Sequence, residues 1–288
     1  MKILIHAGRH KTGTTYLQQF FGMNAARLLK DFGILYPESG RNPYFNYHHE
    51  LFENILKNGR KKSGIINELR REVNENKSEI VLLSSEYLSR DTMQSEELKI
   101  IKESFSPYDV EIIFYLRRQD DFLCSRYSER VKQNRLAFPD TIWSFNAELN
   151  YLKFLDRYAR IFGVSNIIVR SYNKAIKIGL IEDFASFLKE PCLAQLPKPE
   201  HEANKRLPWR YLHALWYANS NPLSRKILAN RGASYFFRRA AKHFPSLFDG
   251  NRPITDSEAK LLMQRYADSN NAVAEKYTDG DPLFVYEH

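Results

Sequence analysis

The chain has 288 residues, 43% of them hydrophobic and 27% charged, enough apolar material for one large α/β domain with or without a helical addition. No apolar run approaches the ~20 residues that a membrane-spanning helix needs, and two cysteines, Cys124 and Cys192, are too few for a disulfide framework and are expected as reduced thiols. The formal net charge of +9 favours an anionic partner, and without zinc-finger spacing or an RNP-like aromatic strand a small anionic cofactor ranks ahead of nucleic acid.

Strand-like apolar runs occur at 2–6, 33–36, 79–84, 110–116 and 166–170. The first starts at Lys2 with no charged leader or cleavage site before it, so a cytoplasmic protein is expected. Leu17, Phe20, Phe21, Ala25 and Leu28 mark one face of a helix expected over 14–30. Further helices are predicted over 97–105, 120–133 (with Cys124 inside), 143–162 and 176–188. Strands alternating with helices predict an α/β fold, a mostly parallel central sheet flanked by helices, with ligands held at the carboxyl ends of the strands. A Pro-rich break follows at 191–199. Beyond it the chain reads as helical, ending in a helix expected over 256–277 with Leu262, Tyr266, Asn270, Val273 and Tyr277 on one face. The expected organisation is a single domain over 1–288, with an α/β core to residue 190 and a helical C-terminal extension from 191.

The first chemical signal is the run from Ile3 to Tyr16, read as a buried strand, a loop with Gly8 and Gly13, and a helix beginning near Thr14. That arrangement aims backbone N–H groups and the positive end of the helix dipole at one point, an anion site. The glycine spacing is that of the nucleotide-triphosphate loop G-x-x-x-x-G-K-[ST], but the lysine lies inside the loop, at Lys11, and Thr14 and Thr15 follow Gly13. The second signal follows the strand at 110–116. Arg117 closes that strand, and Ser125 lies about two turns into the next helix, so that a guanidinium fork and a hydroxyl can meet one phosphate.

Together these motifs resemble the sulfotransferases that use 3′-phosphoadenosine-5′-phosphosulfate (PAPS). The family's 5′-phosphosulfate loop, Lys-[Ser/Thr]-Gly-Thr-Thr-aromatic, is matched by Lys11, Thr12, Gly13, Thr14, Thr15 and Tyr16, with His10 beside it as a loop-shaping or donor contact. Its 3′-phosphate element, an Arg at a strand end and a Ser eight positions on, is matched by Arg117 and Ser125. The resemblance implies a P-loop-NTPase-like sulfotransferase fold, PAPS as donor, PAP as product, and no required metal. Tyr172, after the strand at 166–170, looks like the family's adenine-side aromatic, and Tyr16 is a second candidate. Gly250-Asn251-Arg252-Pro253 looks like the donor loop of glycan sulfotransferases without its lysine, which makes Arg252 a candidate 3′-phosphate contact and tilts the acceptor toward a carbohydrate.

Sulfuryl transfer builds charge on the bridging oxygen, which Lys11 and the loop amides would stabilise. The acceptor hydroxyl needs a general base. Glu86, after the strand at 79–84, is the first candidate, and the His48-His49 pair is the second. The surrounding Tyr44, Phe45 and Tyr47 suit sugar stacking, which puts His48, His49 and Glu86 on the acceptor side. A basic stretch, Arg225, Lys226, Arg231, Arg238, Arg239, Lys242 and His243, is interleaved with Tyr235, Phe236, Phe237 and Phe244. It reads as a solvated helix face or as a contact for an acidic polysaccharide or an anionic membrane surface. The alternatives to a sulfotransferase are an ATP-dependent small-metabolite kinase, opposed by the missing post-glycine lysine and by the lack of an obvious acidic magnesium site, and a non-catalytic polyanion-binding protein.

Overall fold

The computed structural model describes residues 1–9, 11–62, 64–144, 148–200, 208–228, 230–244 and 252–284. The chain divides into two compact units: Met1–Arg117, Asn150–Ala203 and Asp268–His288 form the first, and Arg118–Leu149 with Asn204–Ala267 the second.

The first unit is built on five parallel strands, β1 (Lys2–His6), β2 (Ile34–Leu35), β3 (Ile80–Ser84), β4 (Asp109–Leu116) and β5 (Ile167–Ser171), in the order β2-β3-β1-β4-β5. All five lie where the apolar runs predict them. The chain adds β3 to one side of β1 and β4 to the other, so the winding reverses at β1. Loops leaving the carboxyl ends diverge at such a reversal and open the crevice where these sheets hold ligands. Register puts the ends together: His6 pairs with Ser84 and Ile113, and Leu116 with Ser171.

Helices α1 (Thr14–Met23), α2 (Ala25–Phe32), α3 (His49–Lys62), α4 (Gly64–Asn76) and α5 (Ser95–Ser104) belong to the first unit. Helix α6 (Gln119–Lys132) belongs to the second, and α7 (Tyr151–Phe162), α8 (Tyr172–Ile178) and α9 (Leu180–Leu188) to the first. The alternation of β4 shows how the sheet is covered. Ile113 and Tyr115 join Leu17, Phe20 and Phe21 of α1 and Ile181 and Phe184 of α9 in one buried cluster. Phe114 packs instead on Phe154 and Tyr158 of α7, with ring centroids 5.2 and 4.9 Å apart.

Three of the helices expected before residue 190 are broken or shortened. The helix expected over 14–30 ends at Asn24, whose side-chain amide donates to the carbonyls of Phe20 at 2.8 Å and Pro197 at 2.9 Å. The one expected over 176–188 starts earlier, at Tyr172, and is interrupted at Gly179, whose φ of 104° is closed to a helix. Of the helix expected over 143–162, the part from Tyr151 forms, because Asn150 caps it by accepting from the Lys153 amide at 2.9 Å. Helices α3 and α4 occupy a stretch to which the sequence assigned no element.

The second unit contains α6, α10 (Trp209–Ala218), α11 (Pro222–Leu228), α12 (Arg231–His243) and α13 (Asp256–Arg265). Phe122, Leu123, Tyr127 and Val131 of α6 form its core with Trp209, Leu212 and Leu215 of α10 and Leu262 of α13. The helix expected over 256–277 breaks at Tyr266, and α14 (Ala267–Tyr277) runs back into the first unit.

Phe184 is fully buried, with its ring centroid 4.9 Å from that of Phe21. Phe184→Ala is expected to lower stability by about 3–5 kcal/mol, read as a drop in the urea midpoint.

Candidate functional site

The loop between β1 and α1 is shaped by its backbone. The Ala7 amide donates to the Ile113 carbonyl at 3.1 Å, extending the strand pairing by one residue. Gly8, Lys11 and Gly13 then take left-handed φ values of 49°, 71° and 73°. A Cβ on Gly13 would fall 2.5 Å from Leu180 Cδ2, and one on Gly8 2.5 Å from Thr14 Oγ1, so neither position admits a side chain. Lys11 holds the left-handed region despite its Cβ, a strain of about 1–3 kcal/mol. Its neighbours hold it there. The Thr12 hydroxyl donates to the Arg9 carbonyl at 2.5 Å, the Thr12 and Arg9 amides close the same turn, and Arg117 Nη1 donates to the Lys11 carbonyl at 3.1 Å. His10 lies outside the described residues.

Helix α1 leaves this turn without a side-chain cap and with no acidic residue in its first turn. The Tyr16 amide turns back to the Gly13 carbonyl at 3.0 Å, while the Thr14 and Thr15 amides precede any intrahelical acceptor and the helix dipole is unopposed locally. The Thr14 hydroxyl is buried with no hydrogen-bond partner among the described residues. A bound anionic oxygen would satisfy both demands, so the loop fits a phosphate or sulfate group. Thr15 and Tyr16 follow half-buried, and Tyr16 packs against the cluster that holds α1 to the sheet.

Arg117 and Tyr172 join the loop. The Arg117 guanidinium carbon lies 5.4 Å from the Tyr172 ring centroid, and Tyr172 Cε2 is 3.4 Å from where a Gly13 Cβ would stand. Tyr151 fixes the strand end by donating its hydroxyl to the Arg117 carbonyl at 2.5 Å. Ser171 caps α8 by accepting from the Lys174 amide at 3.4 Å, which sets Tyr172 at the helix start. Arg170 is taken up elsewhere. It grips Asp183 through two bonds of 2.6 and 2.5 Å, and Tyr115 donates to the same carboxylate at 2.8 Å.

Arg9, within the same run but with no role assigned to it from the sequence, is a structural member of the site. It is 1% exposed, pairs with Asp91 at 3.0 Å and lies over the rings of Phe154 and Tyr151, 4.5 and 5.3 Å from their centroids. The loop thus sends one cation, Arg9, into the protein, while Lys11 stays half-exposed at the edge. The loop motif picks out Lys11, but nothing in the local pattern marks Arg9 for burial.

At the end of β3 the chain makes a short 3₁₀ turn, Glu86–Ser89, capped by Ser85 Oγ accepting from the Tyr87 amide at 3.3 Å. Glu86 is half-buried at the same carboxyl edge as the loop. Beneath it His6 Nδ1 shares a 2.9 Å hydrogen bond with Ser84 Oγ, ringed edge-on by Phe21, Tyr115 and Phe184. Burial holds the His6 imidazole down at about 4, against the opposing pull of the Glu86 carboxylate.

The two neighbouring histidines part company. His48 is fully buried. Its Nε2–H donates to the Pro37 carbonyl at 3.0 Å, and its Nδ1 accepts from the Ser84 amide at 3.2 Å. Burial lowers its pKa to about 3, so the ring is neutral. The expectation that His48 meets an acceptor is corrected: both ring nitrogens brace the end of β3. His49 opens α3 half-buried, with Nδ1 2.9 Å from Ser85 Oγ. Its ring stacks on Tyr47 at 4.0 Å, and Tyr47 lies parallel to Phe45 at 5.8 Å.

Two further candidates lie in the second unit. Ser125 is half-buried on α6. Arg252 Nη2 is 3.1 Å from Asp120, 3.4 Å from Asp121 and 3.7 Å from Cys124 Sγ, while Arg118 grips Asp120 at 3.0 and 2.9 Å. The Arg252 charge is met by two carboxylates, so in this structure it braces the second unit rather than offering an unopposed cation to a phosphate. Gly250 and Asn251 lie outside the described residues.

No protein-family model matches the chain, and no curated protein matches it. Among solved structures, the crystal structure of a sulfotransferase from Alicyclobacillus acidocaldarius is similar, at 14% identity and a TM-score of 0.41, covering 82% of this chain and 99% of that one. So distant a likeness carries no argument about this chain, whose site stands on its own residues.

The buried histidines make stability depend on pH. Both have folded pKa values below the ordinary histidine value near 6.5, so the unfolded chain binds the extra protons. Their contribution is intact above about pH 6.5 and declines as the pH falls toward 4. Urea midpoints measured from pH 7.5 to 4.5 should fall steadily, and His48→Asn should make that decline shallower.

Proposed function

We propose that this chain is a sulfotransferase that moves a sulfuryl group from PAPS to an acceptor hydroxyl on a carbohydrate. The observation that carries the reading is Lys11, set inside an uncapped anion loop rather than after its second glycine, with Arg117 donating to its carbonyl at 3.1 Å. A triphosphate loop uses the later lysine and a magnesium-bound hydroxyl. A lysine within the turn suits a single sulfated phosphate.

Bound PAPS supplies the sulfuryl group and leaves as PAP. The loop amides and the α1 terminus hold its 5′-phosphate, with the Thr14 hydroxyl as an added donor. Lys11 offsets the charge that builds on the oxygen bridging phosphorus and sulfur as that S–O bond breaks. Arg117 holds the 3′-phosphate, with Ser125 assigned beside it by the sequence motif, and Tyr172 and Tyr16 flank the adenine. Glu86 accepts the proton of the acceptor hydroxyl as the new S–O bond forms, and His49, hydrogen-bonded to Ser85, is the second candidate for that proton. The Phe45–Tyr47–His49 stack supports a sugar acceptor, because rings in line, with Phe45 exposed and the other two half-buried, offer a face for the C–H side of a pyranose.

Thermal melting tests the donor. PAP without magnesium should raise the midpoint, and stabilisation by ATP with magnesium alone would replace this reading with a kinase. With labelled PAPS and a glycan acceptor that turns over, Lys11→Ala should lower kcat by roughly 30- to 1000-fold, equivalent to about 2–4 kcal/mol. Glu86→Gln should likewise depress kcat and remove the acid limb of its pH profile, while PAP still stabilises the variant. An unchanged profile would transfer the base role to His49.

A further inference from the structure

We infer that helices α11 and α12 form an interfacial patch that binds an anionic lipid bilayer. This does not depend on the proposed reaction. From 203 to 248 the sequence contains no Asp or Glu, yet it carries Arg225, Lys226 and Arg239 among its cations. A solvated helix face mixes charge signs, whereas a one-signed stretch signals an anionic partner.

The apolar residues of the same stretch say which anion. Leu223 and Ile227, one turn apart on α11, are 71% and 64% exposed together. Residues at i and i+4 share a helix face, and on a soluble protein an apolar pair so spaced would ordinarily face the core. Here that face belongs to α10, which buries Trp209, Leu212 and Leu215 in the second unit. Helix α11 touches its chain neighbours α10 and α12, and 222–227 are all exposed, so the apolar pair is presented outward. On α12, Tyr235 and Phe236 are each 65% exposed, and the Tyr235 hydroxyl accepts from Arg239 at 3.2 Å. Phe244 follows at 58%. An acidic polysaccharide would engage the cations but gives Leu223, Ile227 and Phe236 no apolar medium to enter. A bilayer surface takes both: headgroup phosphates meet Arg and Lys while aliphatic and aromatic side chains enter the acyl boundary. No helix among the described residues is long and apolar enough to cross a membrane, so the contact is with the surface.

Co-sedimentation of the full chain with phosphatidylcholine vesicles, with or without 30% phosphatidylglycerol by design, at about 0.15 M salt tests the assignment. Retention on the anionic vesicles is expected. Each of two variants, L223S/I227S/F236S and R225E/K226E, should weaken it on the order of tenfold with an unchanged melting midpoint. Absence of vesicle binding would overturn the proposal. So would vesicle binding that is indifferent to the apolar variant and abolished by soluble heparin, since that is the behaviour of a polyanion groove. A dimer in gel filtration that the apolar variant dissolves, without vesicle binding, would make the patch an interface between copies of the chain.

Discussion

The site rests on one strained turn. Between His6 and Thr14 the chain must leave the central strand, reverse and start a helix, and among the described residues Gly8, Lys11 and Gly13 are left-handed there. That conformation is costly for Lys11 and is held from three directions: the Arg9–Thr12 turn, the Arg117 guanidinium and the close approach of Leu180 and Tyr172 to Gly13. Because β4 and β5 supply Arg117 and Tyr172, the geometry of the loop depends on the parallel sheet being complete. The turn, Arg117 and Tyr172 are parts of a single arrangement, since each is packed against another.

Beside the turn lies a second, quieter construction. The end of β3 is laced by side chains that would ordinarily be read as reactive. His6 bonds Ser84, His48 bonds the Ser84 amide, and His49 bonds Ser85. Two of these three imidazoles are kept neutral by burial and act as rigid struts. Their effect is to fix the turn that begins at Glu86. Glu86 sits half-buried at the margin of this histidine-braced strand end, and His49 carries the aromatic stack outward from the same brace. Of the adjacent pair, His48 is buried as support while His49 stays at the surface margin.

The second unit follows different rules. Its polar centre, Arg118 and Arg252 against Asp120 and Asp121, is a charge-compensated brace, while Arg225, Lys226 and Arg239 of α11 and α12 meet no carboxylate among the described residues and lie beside exposed apolar side chains. Paired charges cost little to keep within a unit and attract little from outside, whereas unpaired ones on an apolar face favour a partner that offers both chemistries.

The strand positions, the sheet class and the loop with Lys11 at its centre were legible in the sequence, because strand-length apolar runs and glycine spacing are local signals that survive into the fold. Helix ends at Asn24, Gly179 and Tyr266 were not, since the first depends on Pro197 and the others on local dihedral choices that an apolar stripe runs straight through. The sequence alone could not separate His48 from His49, which have the same chemistry and adjacent positions, nor show that Arg9 is drawn inward from the loop where Lys11 stays at the edge. Tertiary structure decided them. Pro37 and Ser84 draw His48 inward, and Asp91, Phe154 and Tyr151 draw in Arg9, and none of these partners is a sequence neighbour. Residue type determined what chemistry was available to this chain; burial and distant hydrogen-bond partners decided which of those side chains remain at the edge of the sheet to perform it.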